Sequence, residues 1–205
     1  GSEGRTFFSD MKQAESANLL SAFAGGVVFN LANILLVAAI GIAGMSVAFP
    51  VGIGIALVLG VVVNYISTPQ GNPVLIFGGV ALITLAIVLN ARAYQKLQTN
   101  AEGGISKKGL ILSVVSGCLM GLFYKYVAGS MVTNFNVPDA GKLTPYTALV
   151  LFAIGIVISS FVFNTLQMMR PFSGIPVTFS TYFKGLTRDH LIGVLGGVIW
   201  CVGMS

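Results

Sequence analysis

Residues 18–66 form a stretch of almost fifty positions with no charged side chain, NLLSAFAGGVVFNLANILLVAAIGIAGMSVAFPVGIGIALVLGVVVNYIS without its last serine. Helices of globular proteins run to about 20 residues, and those at a surface keep one polar face. This stretch is apolar on all faces except for a few amides and hydroxyls. About 20 apolar residues span a bilayer. The stretch therefore predicts two membrane-spanning helices, 18–40 (helix a) and 44–66 (helix b), joined by the tight GIAG at 41–44.

Composition extends that expectation to the whole chain. Charged residues are 8% of it and hydrophobic residues 55%, against about 25% charged in soluble domains. The fold class expected is an all-α integral membrane protein, a bundle of about six transmembrane helices. The net charge of +5 is spread over short loops, so it reports orientation and does not form a nucleic-acid surface. Cys118 and Cys201 lie in apolar runs and read as packing residues. With His190 the only histidine, no metal cluster of familiar spacing is expected, and no cofactor. The chain lacks an initiating Met and stops at Ser205 inside an apolar run, which reads as an internal piece of a longer membrane protein.

Before helix a, residues 1–17 are polar and read as a loop with some helical content. The turn 67–73 leads into helix c (74–95) with Pro73 at its start, a favoured proline position. A basic connector follows at 91–109, then helix d (108–130), the loop 131–144 and helix e (145–168). A second basic connector spans 169–190, and helix f begins near 190. Arg92, Lys96, Lys107 and Lys108 in one connector and Arg170, Lys184 and Arg188 in the other are two helices apart, so they share a side. The positive-inside tendency makes that side cytoplasmic, in the cell (inner) membrane. A weak internal repeat lays 16–33 on 187–204, aligning Gly25-Gly26 with Gly196-Gly197. Helices a and f run in opposite senses, as in an inverted repeat.

The motifs AGGVVFNLANILLVAAI (24–40), SVAFPVGIG (46–54), KGLILSVVSGCLMGLFYKYVA (108–128), GKLTPYTA (141–148) and HLIGVLGGVIWCVGMS (190–205) together resemble bacterial members of the ureide permease family. That family sits in the drug/metabolite transporter superfamily, near the glucose/ribose uptake proteins. The resemblance implies ten helices in two inverted five-helix halves. Residues 1–98 would end the first half, 99–107 would be a cytoplasmic connector, and 108–205 would begin the second. It also implies uptake of a small polar solute (ureide, nucleobase or sugar) with a coupling proton or sodium ion. Plant relatives carry a phosphate-loop-like motif in the central loop; GGISKKGL (103–110) does not fit GxxxxGK[ST], so no nucleotide is expected.

Several residues could carry such a function. Gly26, Asn30, Asn33 and Val37 share one face of helix a, and Ser46, Pro50, Gly54, Val61 and Asn64 one face of helix b. An amide in hydrocarbon needs a partner, so Asn30 and Asn33 face either a solute cavity or another helix as packing glue. Pro50 frees an upstream carbonyl in mid-helix, which with Ser46 could reach the same space. Lys125 is the one charge well inside an apolar run, flanked by Tyr124 and Tyr126. It is either a snorkelling belt residue or a solute contact. Trp200 could stack on a planar solute or fill the bundle. The candidate solute-binding set is Asn30, Asn33, Ser46, Pro50, Tyr124, Lys125 and Trp200. No acidic residue falls inside a predicted helix. A membrane enzyme would want clustered Asp, His or Cys, and a channel rings of charge or a filter repeat. Neither pattern is present, so the sequence favours a secondary transporter over an enzyme and over a channel-forming or structural subunit.

Overall fold

A computed structural model of the chain describes residues 5–67, 69, 71–98, 106–134 and 139–204. Most of the expected 99–107 connector lies outside the described residues. Among the described residues eight helices follow one another: α1 (Phe7–Gln13), α2 (Ser16–Ala43), α3 (Met45–Ser67), α4 (Pro73–Gln98), α5 (Lys107–Ser130), α6 (Pro145–Met169), α7 (Phe179–Phe183) and α8 (Thr187–Met204). The spans predicted for helices a to f are recovered as α2 to α6 and α8, within a few residues at each end. Five of them, α2, α3, α4 as far as Asn90, α5 and α6, are long and apolar enough to cross a membrane. The chain is an all-α, multi-pass membrane protein. α8 is not among the five, because it opens on Thr187, Arg188, Asp189 and His190.

Local chemistry sets the boundaries. α2 runs straight through the expected turn to Ala43, and only Gly44, at φ +80°, separates it from α3. A side chain there would be strained, whereas glycine adopts that conformation freely. Pro73 and Pro145 each occupy a first helical position, where the missing N–H costs nothing. Ser106 caps α5 by accepting from the Gly109 amide.

The chain divides into two compact units, 1–164 and 165–205, with the boundary inside α6. In the first, α2 and α5 pack antiparallel. Ser21 donates to the Tyr126 carbonyl (2.7 Å), Ser116 to the Ala32 carbonyl (2.7 Å), and Gly109 abuts Ala43. α3 runs parallel to α5, with Gly117 against Gly52 and Ile55, and Gly121 against Ala56 and Leu59. Phe29, Phe123 and Phe152 join α2, α5 and α6 with ring centroids 4.8–5.8 Å apart. The glycine pair of α2 is shared between two neighbours. A Cβ on Gly25 would meet Val127 of α5, and one on Gly26 would meet the Phe152 carbonyl of α6. Small residues let membrane helices approach to backbone contact.

The polar N-terminal segment is more ordered than a loop. α1 caps the end of the first unit where α5 ends and α6 begins. Gln13 donates to the Lys142 carbonyl (2.8 Å) and accepts from the Gly141 amide (2.8 Å), and Asn18 donates to the Gly141 carbonyl (2.8 Å). In the second unit, the Val177 amide returns to the Met168 carbonyl (2.9 Å) and Tyr182 meets His190 edge-on at 4.8 Å.

Candidate functional site

The six candidates that lie in the first unit do not converge on one point. Asn30, 8% exposed, donates to the Ser159 hydroxyl (2.8 Å) and the Ile156 carbonyl (3.4 Å), both on α6. It is a link between helices. Asn33 is half-buried and donates to the Phe29 carbonyl of its own helix (3.3 Å). The face they share with Gly26 therefore has one part closed against α6, while Val37 at its far end is largely exposed.

Ser46 is exposed and Pro50 half-buried. They lie near the start of α3, beside the Ala43–Gly109 contact. Tyr124 and Lys125 are exposed in the last turns of α5, about 22 Å along that helix from Gly109 at 1.5 Å per residue. The two pairs thus occupy opposite ends of the first unit, with Asn30 between them. Trp200, 42% exposed, belongs to α8 in the second unit.

Tyr124 does open onto a groove. A cavity of about 640 Å³ lies between α3, α4 and α5 at the end where α3 and α5 finish. Ligand pockets typically occupy about 300–1,000 Å³. Leu57 and Val61 of α3 and Ile76 of α4 supply apolar wall, and Asn64, Tyr65 and Tyr124 supply polar atoms. No lining residue is charged. Asn64 is half-buried, and its amide has no hydrogen-bond partner among the described residues. Tyr65 packs edge-on against Phe77, centroids 5.2 Å apart. Val61 and Asn64 were on the face read from helix b. Tyr65, one residue further on, was not singled out, since nothing in the helical spacing separates a groove tyrosine from a belt tyrosine.

A second polar cluster was also missed. Asp10 on α1 is fully buried. Its carboxylate accepts from the Thr144 amide (2.8 Å), the Thr144 hydroxyl (2.9 Å) and the Gln13 amide (3.1 Å), and Arg5 lies 3.6 Å away. Burial alone would raise its pKa; the hydrogen bonds from Thr144, Thr147 and Gln13 outweigh it and hold the carboxyl below its ordinary value. Because Thr144 immediately precedes α6, the charge also sits at that helix's positive end. Among the described residues, no three His, Cys, Asp or Glu side chains gather as a metal site.

No protein-family model matches the chain, and no solved structure matches it. Curated relatives do. The L-rhamnose-proton symporter of Shigella dysenteriae serotype 1 is 27% identical over 90% of this chain and 58% of its own length. That of Cronobacter sakazakii is 26% identical over 95% and 61%, and that of Yersinia pestis 28% identical over 90% and 58%. The chain thus spans about three-fifths of the length of these relatives. Along nearly all of its own length it is similar to membrane symporters that, by name, couple L-rhamnose to a proton.

Proposed function

We propose that this chain is part of a secondary active transporter of the inner membrane that moves a small polar solute of the sugar class, with a proton as coupling ion. The observation that carries the reading is the alignment of 90–95% of the chain with L-rhamnose-proton symporters. Five helices fit to cross a membrane agree with it. Transport, not catalysis, is the activity inferred.

The mechanism is alternating access in a ten-helix protein of two inverted five-helix halves, α2 to α4 from the first and α5, α6 and α8 from the second. In such transporters one half rocks against the other around a site at their interface. Tyr124 and Lys125 then belong to one mouth of the path and Ser46 with the Pro50-freed carbonyl to the other. Asn30 and Asn33 flank the middle, and Trp200 stays a candidate on its sequence position alone. The ureide and nucleobase classes, and sodium in place of the proton, are the variants of this reading that the ureide permease resemblance brings.

Uptake by the full-length protein in reconstituted vesicles tests it. L-rhamnose, L-fucose, D-glucose, allantoin and uracil are offered with an imposed proton or sodium gradient. Monosaccharide uptake that follows the proton gradient and collapses with a protonophore is expected. Uptake of allantoin or uracil alone would move the solute to the ureide class, and no gradient-dependent uptake of any of them would overturn the transporter reading.

A further inference from the structure

We propose that the groove between α3, α4 and α5 is a recognition site for a neutral monosaccharide at one mouth of the transport path, with Asn64, Tyr65 and Tyr124 as its polar contacts. The inference rests on the transport reading above and adds a place and a chemistry to it.

The Asn64 amide is the starting point. It is half-buried in a membrane-spanning helix and has no partner among the described residues. In a membrane-spanning helix an unpartnered amide is costly in hydrocarbon and is accommodated where it faces water or a polar solute. Elsewhere in the same unit polar side chains facing a neighbour are paired, as Asn30 is with Ser159 and Ser116 with Ala32. Asn64 instead faces open volume. A carboxamide offers two donors and an acceptor, and vicinal sugar hydroxyls, each both donor and acceptor, can use both kinds.

The rest of the lining narrows the ligand. Tyrosine combines an apolar ring with a hydroxyl at its tip. Tyr65 and Tyr124 can therefore lie along the C–H face of a pyranose and still reach its hydroxyls. Leu57, Val61 and Ile76 give apolar wall suited to a deoxy carbon or a methyl substituent. The lining carries no ionised side chain, so nothing there would compensate a carboxylate, phosphate or ammonium withdrawn from water. The volume, about 640 Å³, admits a monosaccharide with its water. The groove also draws its walls from both proposed halves, α3 and α4 from one and α5 from the other, which is where alternating-access transporters hold their solute. Asn64 is one turn from the end of α3, so this is a mouth and not the mid-membrane position.

The test uses the full-length protein in vesicles with L-rhamnose as probe and L-fucose and D-glucose beside it. Asn64→Ala and Tyr124→Phe are each expected to raise the half-saturating sugar concentration about three- to tenfold, the size of one lost hydrogen bond. Thr84→Val on α4, whose hydroxyl serves only its own helix, should leave it unchanged. In a parallel measurement, Asn64→Cys in a background lacking Cys118 and Cys201 should react with a small thiol reagent, and L-rhamnose should slow that reaction. Tyr124→Phe keeps the ring and so the packing, which covers the case in which Asn64→Ala fails to fold. A tyrosine that only anchors the helix at the lipid interface would lose its hydroxyl with no change in sugar affinity. Parental sugar uptake with unchanged half-saturation in the variants, and no sugar protection of the cysteine, would overturn the groove while leaving the transport reading standing. No monosaccharide uptake by the parent would overturn both.

Discussion

A single amide such as Asn30 can serve packing and solute at once, and its surroundings say how to separate the two. If Asn30 is replaced by Ala, Ser159 is not orphaned, because its hydroxyl also donates to the Ile156 carbonyl (3.2 Å). The stability cost should therefore be near the membrane average of about 0.6 kcal/mol and below about 1.7 kcal/mol. Thermal unfolding of Asn30→Ala in detergent should shift little. A loss of sugar affinity of tenfold or more in the same variant would then mark a solute contact; parental affinity would leave Asn30 as a link to α6. Asp10 gives a sharper expectation. Its folded pKa is lowered, so its contribution is present above the ordinary carboxyl value of about 4 and is lost as pH falls through the lower folded value. Docking of α1 should thus be constant from pH 8 to pH 5 and loosen only in stronger acid. Within this arrangement Asp10 stays ionised near neutral pH and is a fixed anchor, not a carrier of the proposed coupling proton. Asp10→Asn should release α1 at neutral pH, with a cost of about 1.5–3 kcal/mol for each hydrogen bond to the charge. Hydrogen exchange at Phe7–Gln13 measures both effects. Protection that already falls between pH 7 and pH 6 in the parent would contradict the assignment.

Helix faces divide into those that bear a backbone contact and those that do not, and glycine substitution reads the difference. A Cβ on Gly26 would meet the Phe152 carbonyl, and one on Gly155 the Phe23 carbonyl. A backbone oxygen cannot rotate aside, so Gly26→Ala should cost at least the 1–3 kcal/mol typical of overpacking. Gly78→Ala on α4 meets nothing within 4 Å and should be neutral or stabilising, since alanine is favoured over glycine in a helix by about 1 kcal/mol. Equal folded yields for the two variants would overturn the close α2–α6 contact. These elements also show what the sequence could and could not convey. Helix spans were legible because hydropathy over about 20 residues is a local property; the packing role of the Gly25-Gly26 pair was not, since the sequence singled the pair out only by its repeat and by the place of Gly26 on the Asn30 face. The partners were not: Asn30 meets Ser159 across 129 positions and Asp10 meets Thr144 across 134, and no periodicity links such pairs. α1 was under-read for a related reason. A short polar helix with an aspartate looks solvated until the residues that bury it are brought up from the far side of α5. In the groove, Asn64 and Tyr124 were legible as unusual polar residues near helix ends; that both face one volume depends on the parallel pairing of α3 with α5.

At the scale of the whole molecule, the two ends of the first unit differ in charge, and that difference predicts the membrane sides. The end capped by α1 holds Arg5, Lys12, Lys125 and Lys142 against Asp10, Glu15 and Asp139, a net of one positive charge among the described residues. The opposite end, where α4 leaves and α5 begins, carries Arg92, Lys107 and Lys108 and no acidic residue among the described ones. By the positive-inside tendency the end with the larger excess of Lys and Arg is expected on the cytoplasmic side. On the proposed uptake reading the groove of Asn64 and Tyr124 would then lie on the outer side and Ser46 and Pro50 on the inner. Single cysteines test it in a background lacking Cys118 and Cys201. Ser106 caps the start of α5, and Asp139 lies in the loop before α6. The 24 residues of α5 between those loops span about 36 Å at 1.5 Å per residue, enough to cross the hydrocarbon core of about 30 Å. An impermeant thiol reagent should label Asp139→Cys in intact cells and reach Ser106→Cys only after permeabilisation. Labelling of Ser106→Cys but not of Asp139→Cys in intact cells would invert the protein and make the groove the exit on the uptake reading. Labelling of both would deny that α5 crosses at all.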